Sequence, residues 1–128
     1  MLAKLFLAIG AGSAGLAVML GAFAAHGLKA RLDETALSAF QTGVHYHLIH
    51  SLAICMLAIW YQSMQLRFQL SDAPGINLLL FLFGIVFFSG SLYLLSLGGP
   101  RWLGPITPIG GTFFIAAWAM FAYRALNV

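Results

Sequence analysis

Four histidines are the residues of this sequence best suited to chemistry, and they surround two apolar segments. His26 ends the first segment, while His45, His47 and His50 lie at the start of the second. On a helix, His47 and His50 share a face and His45 points largely away. If the two segments run antiparallel, His26 and the start of the second segment come to the same end of the protein. We therefore expect a polar site at that end.

Three kinds of chemistry suit these imidazoles. Histidines from two helices could ligate a transition metal, clamp a haem iron or relay protons, because histidine titrates near neutral pH. The structural alternative is a neutral histidine that bonds a neighbouring carbonyl or hydroxyl and fixes a helix pair. No carboxylate lies inside an apolar segment, so a metal would lack further ligands there. We therefore expect no bound cofactor.

A stripe of hydroxyl groups marks the third apolar segment. Ser89, Tyr93 and Ser96 lie at i, i+4 and i+7, which is one face of a helix. This stripe could line a polar pathway, although hydroxyls in membrane helices more often bond across helices or to their own backbone. Thr107 and Pro108 are typical of a helix start, with Thr107 as the cap.

Four apolar segments must position these residues. Of the 128 residues, 62% are hydrophobic and 7% are charged, whereas soluble domains are about 45–50% apolar and about 25% charged. Each segment approaches the roughly 20 residues that cross a bilayer, and backbone groups in lipid must be bonded internally, which favours helices. We predict an all-α membrane protein, a four-transmembrane-helix bundle in contact with the lipid bilayer. It forms one domain over residues 1–128, with spans of about 5–25, 44–61, 76–97 and 104–123.

The connections between the spans carry most of the charges. Between the first two spans, apolar residues recur at helical spacing, and Asp33 can cap a helix that begins near Glu34. We predict a short amphipathic helix there, lying at the membrane interface. Residues 62–75 are predicted to form a polar linker before the third span.

Small residues indicate where helices approach each other. The stretch 10–15 matches the G-x-G-x-x-G fingerprint, but that motif joins a strand to a helix and here it lies inside an apolar span. Small residues spaced by four instead permit close helix contact. The partner is either another helix of the bundle or a second copy. The predicted packing positions are Gly15, Gly21, Ala25, Gly110 and Gly111.

Charge distribution bears on orientation and on function class. Three Lys or Arg residues flank the spans on each side, and the free amino terminus tips the balance towards cytoplasmic termini. No basic run typical of nucleic-acid binding is present. The spans contain neither carboxylate nor lysine, so no nucleophile, base and acid can be combined there. We therefore predict a protein that is not an enzyme and does not bind nucleic acid.

Four stretches of the chain, in order, resemble a known family. They are GAFAAHGL at 21–28, FQTGVHYHLIH at 40–50, FSGSLY at 88–93 and TPIGG at 107–111. This set resembles the YgdD/YwdK-like family of small bacterial inner-membrane proteins, whose function is unknown. The resemblance implies a four-span protein of the bacterial inner membrane, without implying an activity.

The resemblance also ranks the candidate residues. His45 and His47 fall on positions that vary in the family, and Ala24 stands where the family has glycine. The resemblance therefore favours His26 with His50 as the pair that would hold a metal or ligand. The candidate polar or ligand-binding residues are His26, Thr42, Tyr46, His47, His50, Ser89, Tyr93 and Thr107.

Two main function classes follow from the sequence, and a membrane enzyme, which an intrinsic haem absorbance band would favour, is the third. The first is a non-enzymatic accessory or scaffold component, present as a homo-oligomer or within a larger membrane complex. The alternative is a binding or carrier protein for a small ligand, metal or proton that uses His26 and His50.

Overall fold

The computed structural model describes residues 2–68 and 75–127, apart from the side chain of Phe68. In this part of the chain every regular element is helical. Two of the helical rods contain a π-helical turn, and a 3-10 turn precedes the last rod. The elements are α1 (Leu2–Phe23) with the π turn Ala24–Leu28, α2 (Glu34–Phe68), a third rod of α3 (Gly75–Gly84), the π turn Ile85–Ser89 and α4 (Gly90–Ser96), and then the 3-10 turn Arg101–Leu103 and α5 (Ile106–Leu126).

All four rods are long and apolar enough to cross a membrane. Large apolar side chains cover their outer surfaces, which only a lipid environment would solvate without cost. The predicted all-α, four-span membrane architecture is therefore confirmed. Among the most exposed of these side chains are Val18, Met19, Ile59, Val86 and Ile115.

Helix α2 is continuous where a separate interfacial helix is predicted. The carboxylate of Asp33 accepts a 2.8 Å hydrogen bond from the backbone N–H of Ala36, so the helix begins at the expected point. From Glu34 it runs for 35 residues without a break. Gly43 does not interrupt the helix, because it is packed against the ring of Tyr93. The prediction of a separate short helix is wrong, since that segment forms the first turns of α2.

The connection after α2 also differs from the sequence prediction, and the turn after α4 depends on a glycine. Helix α2 extends to Phe68 through half of the predicted 62–75 linker, and residues 69–74 lie outside the described part of the chain. After α4, Gly98 takes a positive φ of 89°, and the N–H of Gly99 donates to the carbonyl of Leu94 at 2.7 Å. A glycine is suited to this left-handed position because it has no Cβ.

Thr107 is not the cap of the last helix. Helix α5 begins at Ile106, and Pro105 at the cap position makes no side-chain hydrogen bond. The Thr107 hydroxyl instead lies 2.6 Å from the hydroxyl of Ser91 on α4. The residue predicted to start α5 therefore ties α5 to the third rod.

Helix α2 is the central element, with α1 packed along it on one side and the third rod on the other. Gly10 of α1 lies against Ser51 and Ile54 of α2, and Gly21 lies against Val44. Helix α5 packs on the third rod, where Gly110 lies directly on backbone atoms of the π turn. Close approach at these glycines brings the polar side chains of neighbouring helices within hydrogen-bonding distance.

Other predicted packing positions make looser contacts. A Cβ atom added to Gly15 would meet nothing within 4 Å, and Ala25 is exposed. A Cβ atom on Gly111 would come no closer than 3.8 Å to the ring of Phe88. Within this chain, Gly15 and Ala25 therefore do not bring helices together, because both face away from α2.

Candidate functional site

Four side chains from three helices form a continuous hydrogen-bonded chain. The Oγ of Ser13 lies 2.9 Å from Nε2 of His47 and 2.7 Å from Oγ of Ser51. Nδ1 of His47 lies 3.0 Å from the hydroxyl of Tyr93. The Ser51 hydroxyl donates to the backbone carbonyl of His47 at 2.7 Å. We call Ser13, His47, Ser51 and Tyr93 the polar chain.

The polar chain lies deep in the protein. Ser13 is about 16 Å along the helix from Leu2 and about 22 Å from Leu28, at 1.5 Å per residue. These distances put it near the middle of the first rod, and hence near the middle of the ~30 Å hydrocarbon core. Polar groups at this depth need partners because water is absent, which accounts for the mutual bonding of all four residues.

Three members of the polar chain line a groove of about 430 Å³ between α1 and the third rod. Polar side chains contribute to the lining at Ser13, His47 and Tyr93, and the rest of it is apolar or glycine. His47 has only 4% of its surface exposed, so it forms the floor. The groove opens between two rods and therefore faces the lipid. Its walls include Gly12 and Leu16 on α1 and Leu82, Val86 and Gly90 on the third rod.

Sequence reasoning missed two members of the polar chain, Ser13 and Ser51. Ser51 follows His47 by four residues, so helical spacing alone places the two on one face. Ser13 gives no comparable signal, because a single serine inside an apolar run is common. Its partners are on α2, and only the pairing of α1 with α2 identifies it.

The π turn of the third rod supports this arrangement. Gly110 of α5 presses against the turn, and the hydroxyl of Ser89 at its end donates to the carbonyl of Gly43 at 2.7 Å. One turn further on, the Tyr93 ring packs on Phe40 with 4.8 Å between ring centroids. These contacts hold the Tyr93 hydroxyl beside His47.

Ser96 of the hydroxyl stripe and Thr42, a candidate site residue on α2, bond within their own helices. Ser96 donates to the carbonyl of Leu92 in its own helix at 2.6 Å. Thr42 is exposed and donates to the carbonyl of Ser38 at 3.0 Å. Of the hydroxyl stripe, only Tyr93 therefore joins the polar chain, whereas Ser89 bonds across to α2 and Ser96 bonds within its own helix, as is more usual for hydroxyls in membrane helices.

His50 has a different environment from His47, although both are buried. Its Nδ1 lies 2.7 Å from the carbonyl of Tyr46, which can only accept. Its Nε2 lies 3.2 Å from Nε1 of Trp118, which can only donate. His50 is therefore a neutral imidazole with a proton on Nδ1, and both nitrogens are in use.

His26 lies apart from these groups, exposed in the π turn that ends the first rod. Tyr46 is 39% exposed and its ring packs on Phe88 with 4.4 Å between centroids. Among residues 2–68 and 75–127, no three His, Cys, Asp or Glu side chains are grouped as metal ligands. Of the predicted site residues, His47 and Tyr93 are hydrogen-bonded to each other. His50 instead faces α5, where it is bonded to Trp118.

Four apolar helical rods around a buried polar chain define a small multi-pass membrane protein. Its sequence matches, over residues 20–111, the model of a family described as "Protein of unknown function (DUF423)". The chain belongs to this family, and the resemblance found in its four sequence stretches is confirmed.

Several named relatives match over nearly their whole length. The UPF0382 membrane protein YwdK of Bacillus subtilis is 42% identical, over 97% of this chain and 98% of that protein. The UPF0382 inner membrane protein YgdD of Escherichia coli is 36% identical, over 100% of this chain and 94% of that protein. A UPF0382 membrane protein of Haemophilus influenzae is 37% identical, over 95% and 94%. No solved structure matches the chain.

Proposed function

We propose that this chain is a non-enzymatic membrane protein that binds a lipid-soluble small molecule in the groove between α1 and the third rod. The observation that carries the proposal is the polar chain at the floor of an otherwise apolar groove. Binding sites for small molecules are typically concave and apolar, with a few polar groups that fix orientation. The groove volume of about 430 Å³ lies within the usual range for such sites, roughly 300–1,000 Å³.

Access to the groove supports a ligand that arrives through the membrane. The groove opens between two membrane-spanning rods, and its floor lies near the bilayer centre. A water-soluble ligand would have to cross apolar lipid to reach it, whereas a lipid-soluble one is already concentrated there. This location favours an apolar molecule with one polar group over an ion.

A site shared by His26 and His50 stays a prediction, and the geometry favours His47 instead. Both nitrogens of His50 are bonded within the protein, so ligation of a metal would require loss of the Trp118 bond. His47 lines the groove and is the histidine that a ligand there would meet.

Gly90 offers a direct test of the groove proposal. It lines the groove, and a Cβ atom added there would meet nothing within 4 Å. Gly90→Leu should therefore fill the groove without disturbing helix packing. We expect native mass spectrometry of the wild-type protein, extracted gently from its own membrane, to show the added mass of a small molecule, and Gly90→Leu to lose it.

Gly15→Leu is the matched control. Gly15 is also a helix glycine with open space around it, but it does not line the groove, so this variant should keep the added mass. Circular dichroism and elution volume would establish that all three proteins are folded. Equal added mass in wild type and Gly90→Leu, or none in wild type, would overturn the proposal.

A second candidate function is an accessory or scaffold component of a membrane assembly. It is favoured by the outer face of α1, where Gly15 lies next to exposed Leu16 and Met19. A small residue between large apolar ones permits close approach of another helix. Under this proposal the same mass spectra would show a second polypeptide or a second copy, which Gly15→Leu releases and Gly90→Leu retains. Single-chain mass in every gentle extract would contradict it.

We also propose that the chain lies in the bacterial inner membrane with both termini in the cytoplasm. The E. coli relative is an inner membrane protein, and an even number of spans puts both termini on one side. A green fluorescent protein fused to the C-terminus should then fluoresce, whereas a fused alkaline phosphatase should be inactive. The reverse pattern would place the termini outside.

A further inference from the structure

The hydrogen bonds of the polar chain can be assigned donors by counting protons. The chain has four bonds: His47 with Tyr93, His47 with Ser13, Ser13 with Ser51, and Ser51 with the His47 carbonyl. Neutral His47 carries one N–H, and each of the three hydroxyls carries one O–H. Four protons are therefore available for four bonds.

Only one arrangement satisfies all four bonds. The His47 carbonyl can only accept, so Ser51 uses its proton there. Ser13 must then donate to Ser51, which leaves the bond between Ser13 and His47 to the N–H on Nε2. Nδ1 of His47 consequently has no proton and accepts from the Tyr93 hydroxyl. Each donor is used once, and all four bonds point the same way: Tyr93 donates to His47, His47 to Ser13, Ser13 to Ser51, and Ser51 to the His47 carbonyl.

This assignment fixes what the groove can offer a ligand. Every proton of the polar chain is already donated within the protein. What remains free on the groove-lining members is acceptor capacity, on the oxygens of Ser13 and Tyr93. The other lining residues are apolar or glycine, with backbone groups inside helices.

We propose that the groove selects lipid-soluble molecules that carry a hydrogen-bond donor, that is, a phenol or an alcohol with an apolar tail. This inference rests on the proposed function and names its ligand class. A ketone, ether or ester of the same shape has no donor for the free oxygens of Ser13 and Tyr93. Its own oxygen is also an acceptor, so it would face those oxygens without forming a hydrogen bond.

The selectivity can be measured with two probes of similar shape. The full-length protein in phosphatidylcholine nanodiscs is titrated with 4-dodecylphenol and with the methyl ether of that phenol, and occupancy is followed by native mass spectrometry. We expect the phenol to bind about fivefold more tightly, the effect of one ordinary hydrogen bond. Gly90→Leu should weaken binding of both probes, which assigns the binding to the groove.

Ser13→Ala tests the proton count itself. The variant keeps three protons but only two bonds, Ser51 with the carbonyl and His47 with Tyr93. One N–H or O–H is then free in every arrangement, so the ether gains a donor and the preference for the phenol should fall to near unity. Ser63→Ala is the control, because it also removes a serine hydroxyl, one that donates to the carbonyl of Trp60 in its own helix, at a position that does not line the groove.

An independent readout is the protonation of the His47 ring. Nitrogen-15 NMR of the labelled full-length protein should show the proton on Nε2 and none on Nδ1 of His47, whereas His50 should show the reverse. A proton on Nδ1 of His47 would overturn the inference.

The outcomes separate this inference from the groove proposal. Equal binding of phenol and ether by the wild type, with both lost in Gly90→Leu, refutes donor selection and leaves the groove proposal standing. A preference for the phenol that survives Ser13→Ala also refutes it. Binding of neither probe, or binding unchanged in Gly90→Leu, refutes the groove proposal.

Discussion

The imidazole of His50 lies face to face with the ring of Phe114, with 3.5 Å between centroids and 10° between planes. The same imidazole accepts a hydrogen bond from Trp118, one turn further along α5. Helices α2 and α5 are thus joined by a stacked ring and a polar bond on one side chain. His50 acts as a structural connector between these helices, whereas His47 belongs to the groove.

Loss of the hydrogen bond from the Trp118 indole to His50 should therefore lower the stability of the folded protein. Trp118→Phe leaves Nε2 of His50 buried without a partner, and we expect a loss of about 1–2 kcal/mol in the free energy of unfolding. SDS titration in bicelles measures it. Trp102→Phe removes the same group at a site that is 66% exposed and should cost much less. Equal losses would mean that the bond to His50 contributes nothing.

Adjacent glycines on α5 should respond in opposite ways to alanine. Gly110→Ala would push a methyl group into the backbone of Phe87 and Phe88, at an expected cost of about 2–3 kcal/mol. Gly111→Ala has at least 3.8 Å of room and should be neutral or stabilise the helix by up to about 1 kcal/mol. The same SDS titration distinguishes them. Similar stabilities for both variants would contradict the packing of α5 on the π turn.

The bond from Ser89 to the Gly43 carbonyl should contribute measurably. Ser89→Ala should lower the free energy of unfolding by about 0.6–1.7 kcal/mol, which are the average and the largest values for single polar bonds between membrane helices. It should also free the third rod to shift, which thiol labelling of a cysteine at position 90 would detect as faster modification. Ser96→Ala, which removes a bond within one helix, should change neither quantity. No difference between the two serines would contradict a role for Ser89 in joining α2 to the third rod.

Asn77 should be replaceable with a gain in stability. Its side chain is fully buried, and neither amide atom has a hydrogen-bond partner in the described part of the chain. Asn77→Leu keeps the number and branching of the side-chain heavy atoms and removes the uncompensated polar group, so we expect a gain of about 1–3 kcal/mol. Asn127→Leu, at an exposed asparagine bonded to Tyr123, should bring none. A loss of stability in Asn77→Leu would show that the amide has a partner.

Hydropathy was sufficient to predict the four membrane helices, because burial in lipid imposes an apolar composition on each span. The boundaries of α2 were not predictable in this way. Polar residues from Glu34 onward suggested a separate element, but a helix can leave the membrane without changing direction. Nothing in the local sequence distinguishes a helix that bends at the interface from one that continues.

Helical spacing was less informative about the histidines. His47 and His50 are 60° apart around α2, which counts as one face for a surface helix. Helix α2 is central and has neighbours on both sides, so this angle is enough to direct the two imidazoles to different helices. The family resemblance favoured His50 as a ligand-binding residue, because His47 falls on a position that varies in the family. Donor selection by the groove is therefore expected of this chain and of relatives that share His47.

The unbroken length of α2 has a mechanical consequence. Its 35 residues extend about 52 Å, roughly 20 Å more than the hydrocarbon core of a bilayer. The first turns, with Glu34 and Ser38 on their surface, and the floor of the groove at His47 are parts of one stiff rod. Because they belong to one rod, a tilt of α2 would move its N-terminal turns and the floor of the groove together.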